Sequence, residues 1–267
     1  MNTTIKIAAY PLDIAWCDCE ANLRSVEMAL STLHPDTDIL VLPELFTTGF
    51  VQDPALIENL AKQSDESFEQ IRNWCKQFNL AISGSVLVKD CDGIKNRGFF
   101  IEPSGEEMFY DKRHLFCLSP ESKIFSGGHQ IPPVVRFRGW NISLIVCYDL
   151  RFPVWCRNRS NRYDILIIPA NWPVSRAYAW KHLLIARAIE NQCLVVGANR
   201  SGCDDYGVYD NLSYIFDAYG RSISLEGSNI KESSDVLYAQ YSRDELLKVR
   251  KRLPVVHDAD EFAINMD

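Results

Sequence analysis

The chain has 267 residues, 47% of them hydrophobic, and a formal net charge of −7. That length and apolar content suffice for one large α/β core. An acidic balance argues against nucleic acid or an anionic membrane as the principal partner, since both call for a basic surface.

In chain order, Ile5-Lys6-Ile7-Ala8-Ala9-Tyr10 reads as a first strand, followed by an amphipathic helix from about Cys19 to Leu33. Ile39 to Leu42 is a short continuous apolar run, as in a strand buried on both faces. A helix from about Glu66 to Phe78 leads into a strand over Leu80 to Val88. Gly98 to Ile101 and Glu107 to Asp111 alternate and are joined by the turn Pro103-Ser104-Gly105. Val134 to Phe137 and Asn141 to Val146 flank Arg138-Gly139-Trp140 as a hairpin. Phe152 to Arg159 reads as a helix opened by Pro153. Asp164 to Ile168 is a strand, Ser175 to Asn191 a long helix and Cys193 to Ala198 a strand. Later strands fall near Leu212 to Phe216, Ser222 to Leu225 and Val236 to Ala239, and a last helix spans Ser242 to Arg250. Strands alternating with helices, with hairpins between them, imply a large mixed sheet, or two sheets covered by helices. No repeat, low-complexity stretch or linker interrupts residues 1–267, which read as one domain.

Nine cysteines in a long chain, whose first residues Met1-Asn2-Thr3-Thr4-Ile5-Lys6 lack a signal-peptide pattern, read as reduced thiols of a cytoplasmic protein. No apolar run approaches the roughly 18 residues of a membrane span. Cys17-Asp18-Cys19 has no second pair at metal-ligand spacing, so a loop or helix start is preferred there to a zinc site. Cys147 differs from the rest, because it closes the apolar run Ile142-Ser143-Leu144-Ile145-Val146 and opens a turn. Glu44 follows Ile39-Leu40-Val41-Leu42-Pro43 in the same way, and Lys112 follows Met108-Phe109-Tyr110-Asp111. A thiol, a carboxylate and an ammonium beyond the ends of buried strands are the groups that thiol-dependent acyl transfer needs: nucleophile, general base and oxyanion cation. A helix opening near Pro153 would lower the thiol's pKa through its positive end. Taken singly, each residue has a plainer reading: core cysteine, loop glutamate, solvated lysine.

Three segments remove that ambiguity by resemblance. Leu42-Pro43-Glu44-Leu45-Phe46, Tyr110-Asp111-Lys112-Arg113-His114-Leu115-Phe116 and Val146-Cys147-Tyr148-Asp149-Leu150-Arg151-Phe152-Pro153 resemble the three signatures of the nitrilase, or carbon–nitrogen hydrolase, superfamily. Pro169-Ala170-Asn171-Trp172-Pro173 and Ala186-Arg187-Ala188-Ile189-Glu190-Asn191-Gln192 are similar to its later blocks. The resemblance spans essentially the whole chain. It implies an α/β fold, a four-layer α-β-β-α sandwich of two mixed sheets, with no cofactor and no metal. It also implies Glu44 as general base, Cys147 as nucleophile, Lys112 as oxyanion cation and the Tyr148 backbone N–H as second oxyanion donor. Glu121 matches a further family glutamate by spacing.

Within the family the motifs most resemble bacterial omega-amidases, which implies hydrolysis of the terminal amide of small dicarboxylate monoamides such as α-ketoglutaramate and α-ketosuccinamate. The alternatives are an N-carbamoyl or aliphatic amidase, or a non-catalytic binding protein on the same fold. Trp172, Phe46 and Phe116 are candidate pocket walls. Arg151 reads as a structural ion pair in preference to a carboxylate clamp, and Arg187 with Glu190 as a helix pair. Family habit implies a homodimer or higher homo-oligomer, with a C-terminal tail of about residues 253–267 at the subunit interface.

Overall fold

Successive side chains of a strand point to opposite faces, so a strand that is apolar at every position has both faces covered. Ile39–Val41 and Ile165–Ala170 are strands of this kind, buried at every position, in the computed structural model, which describes residues 4–224 and 236–265. The strands in chain order are β1 (Thr4–Ala9), β2 (Ile39–Val41), β3 (Ala81–Asp90), β4 (Gly93–Ile101), β5 (Glu107–Asp111), β6 (Val134–Phe137) and β7 (Trp140–Leu144). They continue as β8 (Ile165–Ala170), β9 (Leu194–Asn199), β10 (Gly202–Asp204), β11 (Gly207–Tyr209), β12 (Tyr214–Phe216) and β13 (Leu237–Ser242). The helices are α1 (Cys19–Thr32), α2 (Pro54–Ala61), α3 (Ser64–Phe78), α4 (Glu121–Ile124), α5 (Ala177–Asn191) and α6 (Arg243–Arg252).

One sheet runs β13-β1-β2-β3-β4-β5 and the other β12-β9-β8-β7-β6, while β10 and β11 form a separate two-stranded ladder. Both sheets are mixed. β1, β2 and β3 are parallel neighbours, as are β7, β8 and β9, and the outer strands pair antiparallel. Alternation sorts the first sheet cleanly. Ile5, Ile7, Ala9, Ile39 and Val41 join the central core with β7, β8 and β9, whereas Ala8, Leu40 and Leu42 face Val26 and Leu30 of α1 and Ile71 and Trp74 of α3. Trp180, Leu184 and Ala188 of α5 complete the central cluster. The layering is helix, sheet, sheet, helix, as the resemblance implied.

The sheets approach closely at Gly98, where a Cβ would stand 3.0 Å from both Leu144 Cδ2 and Val146 Cγ2. Any side chain there would push on the strand that leads to Cys147.

Several expectations need correction. The helix over Phe152 to Arg159 does not form. A 3₁₀ turn over Cys147–Arg151 comes first, followed by tight turns in which Trp155 and Cys156 N–H donate to the Phe152 carbonyl. The Asn158 side chain then takes the carbonyls of Tyr163 and Asn191, and Ser160 and Asn161 adopt positive φ. Side-chain-to-backbone bonding of this kind competes with helix. The strand at Ser222 to Leu225 reduces to isolated bridges, Phe216 with Ser222 and Ser224 with Ala239, and Leu225 lies outside the described residues. β4 begins at Gly93, five residues before the expected start, and α2, introduced by its Asp53 cap and Pro54, was not anticipated. Cys17 and Cys19 do mark a helix start: Asp18 between them accepts from the Ala21 N–H at 2.9 Å.

Candidate active site

The site lies just past strand ends. Glu44 follows β2, Lys112 follows β5 directly, Cys147 follows β7, and Asn171 follows β8. β2, β7 and β8 each have parallel neighbours, and in open α/β sheets ligands bind beyond the carboxyl ends of such strands. Two sharp turns aim the groups. Leu45 and Cys147 both take left-handed backbone (φ 47° and 44°), which costs a non-glycine residue about 1–2 kcal/mol and persists only where the surroundings enforce it.

Asp149 enforces the turn at Cys147. Its buried carboxylate accepts from the Val146 N–H (3.2 Å), the Tyr110 hydroxyl (2.7 Å) and the His114 N–H (2.9 Å). His114 Nδ1 stands 2.7 Å from the same carboxylate, and its ring stacks on Phe152 at 3.7 Å.

Lys112 is 2% exposed and its ammonium donates to Glu44 Oε1 at 2.8 Å and Glu121 Oε1 at 2.7 Å. Glu44, 1% exposed, also accepts from Asn96 Nδ2 at 2.8 Å and from the Asn171 backbone N–H at 3.0 Å. Glu44 is therefore held by groups from both sheets. Glu121, the first residue of α4, is fully buried and accepts the Phe116 N–H at 2.6 Å. Burying charge is costly unless it is paired and hydrogen-bonded, and each of these three groups is both.

Burial pulls the Lys112 ammonium down, but Glu121 and Glu44 outweigh it and hold it well above the ordinary lysine range. Glu121 is raised, chiefly by burial and then by the charge of Glu44, with Lys112 opposing. The Cys147 thiol is pushed well above its ordinary value, first by burial, then by the charge of Glu44, against the pull of Lys112. This reverses the expectation of a thiol acidified by a helix end: the helix expected at Phe152 does not form, and burial and the charge of Glu44 raise the thiol. Cys147 is therefore held as the neutral thiol, and after burial the Glu44 carboxylate is what holds it there.

These residues line one cavity of about 230 Å³, together with Phe116, Tyr148, Arg151, Trp172, Arg176, Tyr206, Tyr209 and Gln52. Tyr148 is the second residue of its 3₁₀ turn, where helical geometry leaves the backbone N–H without an internal acceptor. Trp172 and Phe116, expected as walls, line the cavity. Phe46 does not: the turn at Leu45 sends its ring into the core beneath α1 and α3, 6.2 Å from the ring of Phe99. Arg151 forms no ion pair among the described residues. Its guanidinium lies 4.8 Å from the centre of the Trp172 ring instead, which corrects its reading as an ion pair. Arg187 is structural, bonded to Glu190 at 2.9 Å and to the Leu150 carbonyl at 2.6 Å.

Sequence reasoning missed Asn96, Gln52, Arg176 and the two tyrosines. None of these carried a sequence signal: Asn96, in Lys95-Asn96-Arg97, precedes the strand expected from Gly98 and is buried only because β4 starts at Gly93. All nine cysteines lie among the described residues and all are free. No described helix is long and apolar enough to cross a membrane.

The profile of the family described as carbon-nitrogen hydrolase matches residues 6–251. The chain belongs to the carbon–nitrogen hydrolase family. It is 40% identical to the omega-amidase YafV of Yersinia enterocolitica over 98% of this chain and 99% of that protein. It is 31% identical to the 2-oxoglutaramate amidase of Bacillus subtilis over 94% and 96%. Among solved structures, XC1258 from Xanthomonas campestris, a carbon–nitrogen hydrolase superfamily protein with an arsenic adduct in its active site, superposes with a TM-score of 0.89. That match has 34% identity and covers 98% of this chain and 99% of the other. Membership of this family makes the chain a hydrolase of C–N bonds.

Proposed function

We propose that this member of the carbon–nitrogen hydrolase family is an omega-amidase, releasing ammonia from the terminal amide of small dicarboxylate monoamides such as α-ketoglutaramate and α-ketosuccinamate. The observation that carries the reading is the buried Glu44–Lys112–Glu121 array set against the Cys147 thiol in one small cavity. Glu44 takes the thiol proton as sulfur attacks the amide carbon. The oxyanion is met by the Lys112 ammonium and the Tyr148 N–H, and preorganised donors of this kind are worth roughly 3–4 kcal/mol of barrier each. Protonated Glu44 returns the proton to the departing nitrogen, ammonia leaves, and the acyl group remains as a thioester on Cys147. Glu44 then deprotonates water, which attacks the thioester; collapse expels the thiolate, Glu44 reprotonates it, and the free acid departs. Glu121 positions Lys112. Arg151, stacked on the cavity wall and without an ionic partner among the described residues, receives the substrate carboxylate.

Two relatives named for these activities, at 40% and 31% identity over nearly the full chain, support the same reading. Steady-state ammonia release across a panel of dicarboxylate monoamides, with Cys147→Ala as control, tests it. Turnover of α-ketoglutaramate and α-ketosuccinamate is expected. Release from carbamoyl or simple aliphatic amides alone would transfer the protein to another branch of the family. The protein acts as a homodimer in this reading, and a monomer in light scattering at micromolar concentration would contradict it.

A further inference from the structure

The cavity holds three cations and two carboxylates, and they do not cancel evenly. Both carboxylates, Glu44 and Glu121, are bonded to Lys112. That leaves Arg151 and Arg176 lining the cavity with no ion pair among the described residues. Arg176 ends the 3₁₀ turn Val174–Arg176 at the start of α5 and is exposed, so it sits where the cavity meets solvent. Its backbone is fixed: its N–H donates to the Pro173 carbonyl at 3.0 Å, and its own carbonyl accepts the Trp172 indole N–H at 2.9 Å. Its guanidinium lies over the Phe116 ring at 4.9 Å. A long side chain that would otherwise sample many rotamers is thus held against one wall of the pocket, and its guanidinium makes no hydrogen bond among the described residues. Gln52, 7% exposed with neither amide atom bonded among the described residues, adds a neutral polar group to the same cavity.

We infer that Arg176 is a substrate-recognition residue that selects amides carrying a negative charge, so that a dicarboxylate monoamide is preferred over the neutral diamide of the same size. The inference rests on the omega-amidase reading and sharpens it. Arg151 supplies one partner for the carboxylate, and Arg176 supplies a second at the mouth, in a protein whose overall charge of −7 would otherwise repel an anion. The same two cations disfavour a ligand bearing an ammonium group, since both carboxylates of the cavity are engaged by Lys112. Because Arg176 is exposed, its contribution is modest and sensitive to salt.

The test compares succinamate with succinamide, a pair of nearly equal size that differs in one carboxylate, by ammonia release in the wild type, Arg176→Gln and Arg176→Lys. The ratio of kcat/KM for the two substrates is expected to fall about fivefold in Arg176→Gln, chiefly through KM for succinamate. Added salt should erode the wild-type preference and leave that of Arg176→Gln little changed, and Arg176→Lys should recover part of the ratio. If the wild type turns over succinamate but the ratio is the same in Arg176→Gln, the inference is overturned and the omega-amidase reading stands. If both substrates lose activity equally, Arg176 only props Phe116, and the inference is again overturned. If the wild type turns over succinamide but no carboxylate-bearing amide, both readings fail together.

Discussion

Lys112 carries opposed duties, and its removal has consequences beyond catalysis. It neutralises two buried carboxylates at 2.7 and 2.8 Å, so Lys112→Ala leaves Glu44 and Glu121 facing each other without a cation. Stranding buried charge in this way costs about 3–5 kcal/mol. The Glu121 carboxyl is already raised, so the folded state binds its proton more tightly than the unfolded chain does. Stability from that source is present at low pH and lost as pH rises through the folded-state value. Urea titration of Lys112→Ala should therefore show a deficit near neutrality that closes as the pH falls into the raised range of that carboxyl; a deficit independent of pH would refute the pairing. Glu44 makes a second prediction. After burial, its charge is the main influence raising the Cys147 thiol, so Glu44→Gln should let iodoacetamide label Cys147 at lower pH while abolishing amide turnover. Labelling that shifts to higher pH would contradict the contact. Glu44, Lys112 and Cys147 were legible because each lies in a motif at a strand end. Asn96, Gln52 and Arg176 were not, because a single polar residue in a strand or loop carries no local sign of what it faces, and the Asn171 N–H reaches Glu44 across 127 residues of chain.

A 3₁₀ turn at Cys147–Arg151, ahead of the place where the sequence suggested a helix, presents Cys147. The turn is held by Asp149, which satisfies two backbone N–H groups and the Tyr110 hydroxyl. Tyr110 in turn accepts the Trp155 indole N–H at 2.8 Å. Asp149→Ala would leave those donors buried without an acceptor, at about 1–3 kcal/mol for each unsatisfied group. A stability loss of about 3 kcal/mol or more in urea, with turnover falling alongside, is expected; a loss under about 1 kcal/mol would show that the turn is held elsewhere. Strands such as β2 and β8 were readable as unbroken apolar runs, and α1, α3 and α5 from their period and caps. The first half of β4 was hidden by Lys95-Asn96-Arg97, where buried polar groups break the alternation. The Phe152 region misled because Pro153 favours a helix start, while Asn158 draws the chain into side-chain-bonded turns.

At the scale of the molecule, neither sheet holds the site alone. The first sheet delivers Glu44 and Lys112 and the second delivers Cys147 and Asn171, so the chemistry exists only because the two pack face to face across Gly98. That layering could be anticipated from motif resemblance, whereas periodicity alone left one large sheet or two. In the proposed reaction the assembled thiol, base and cation carry an acyl group through a thioester. Rapid quenching of the protein with α-ketosuccinamate, followed by mass analysis of the Cys147 peptide, tests this most directly. An acyl adduct on Cys147 that forms as ammonia is released and decays to the acid is expected, and in Cys147→Ala it should be absent along with all turnover. Ammonia release by Cys147→Ala at the wild-type rate, or turnover with no adduct on Cys147, would contradict it.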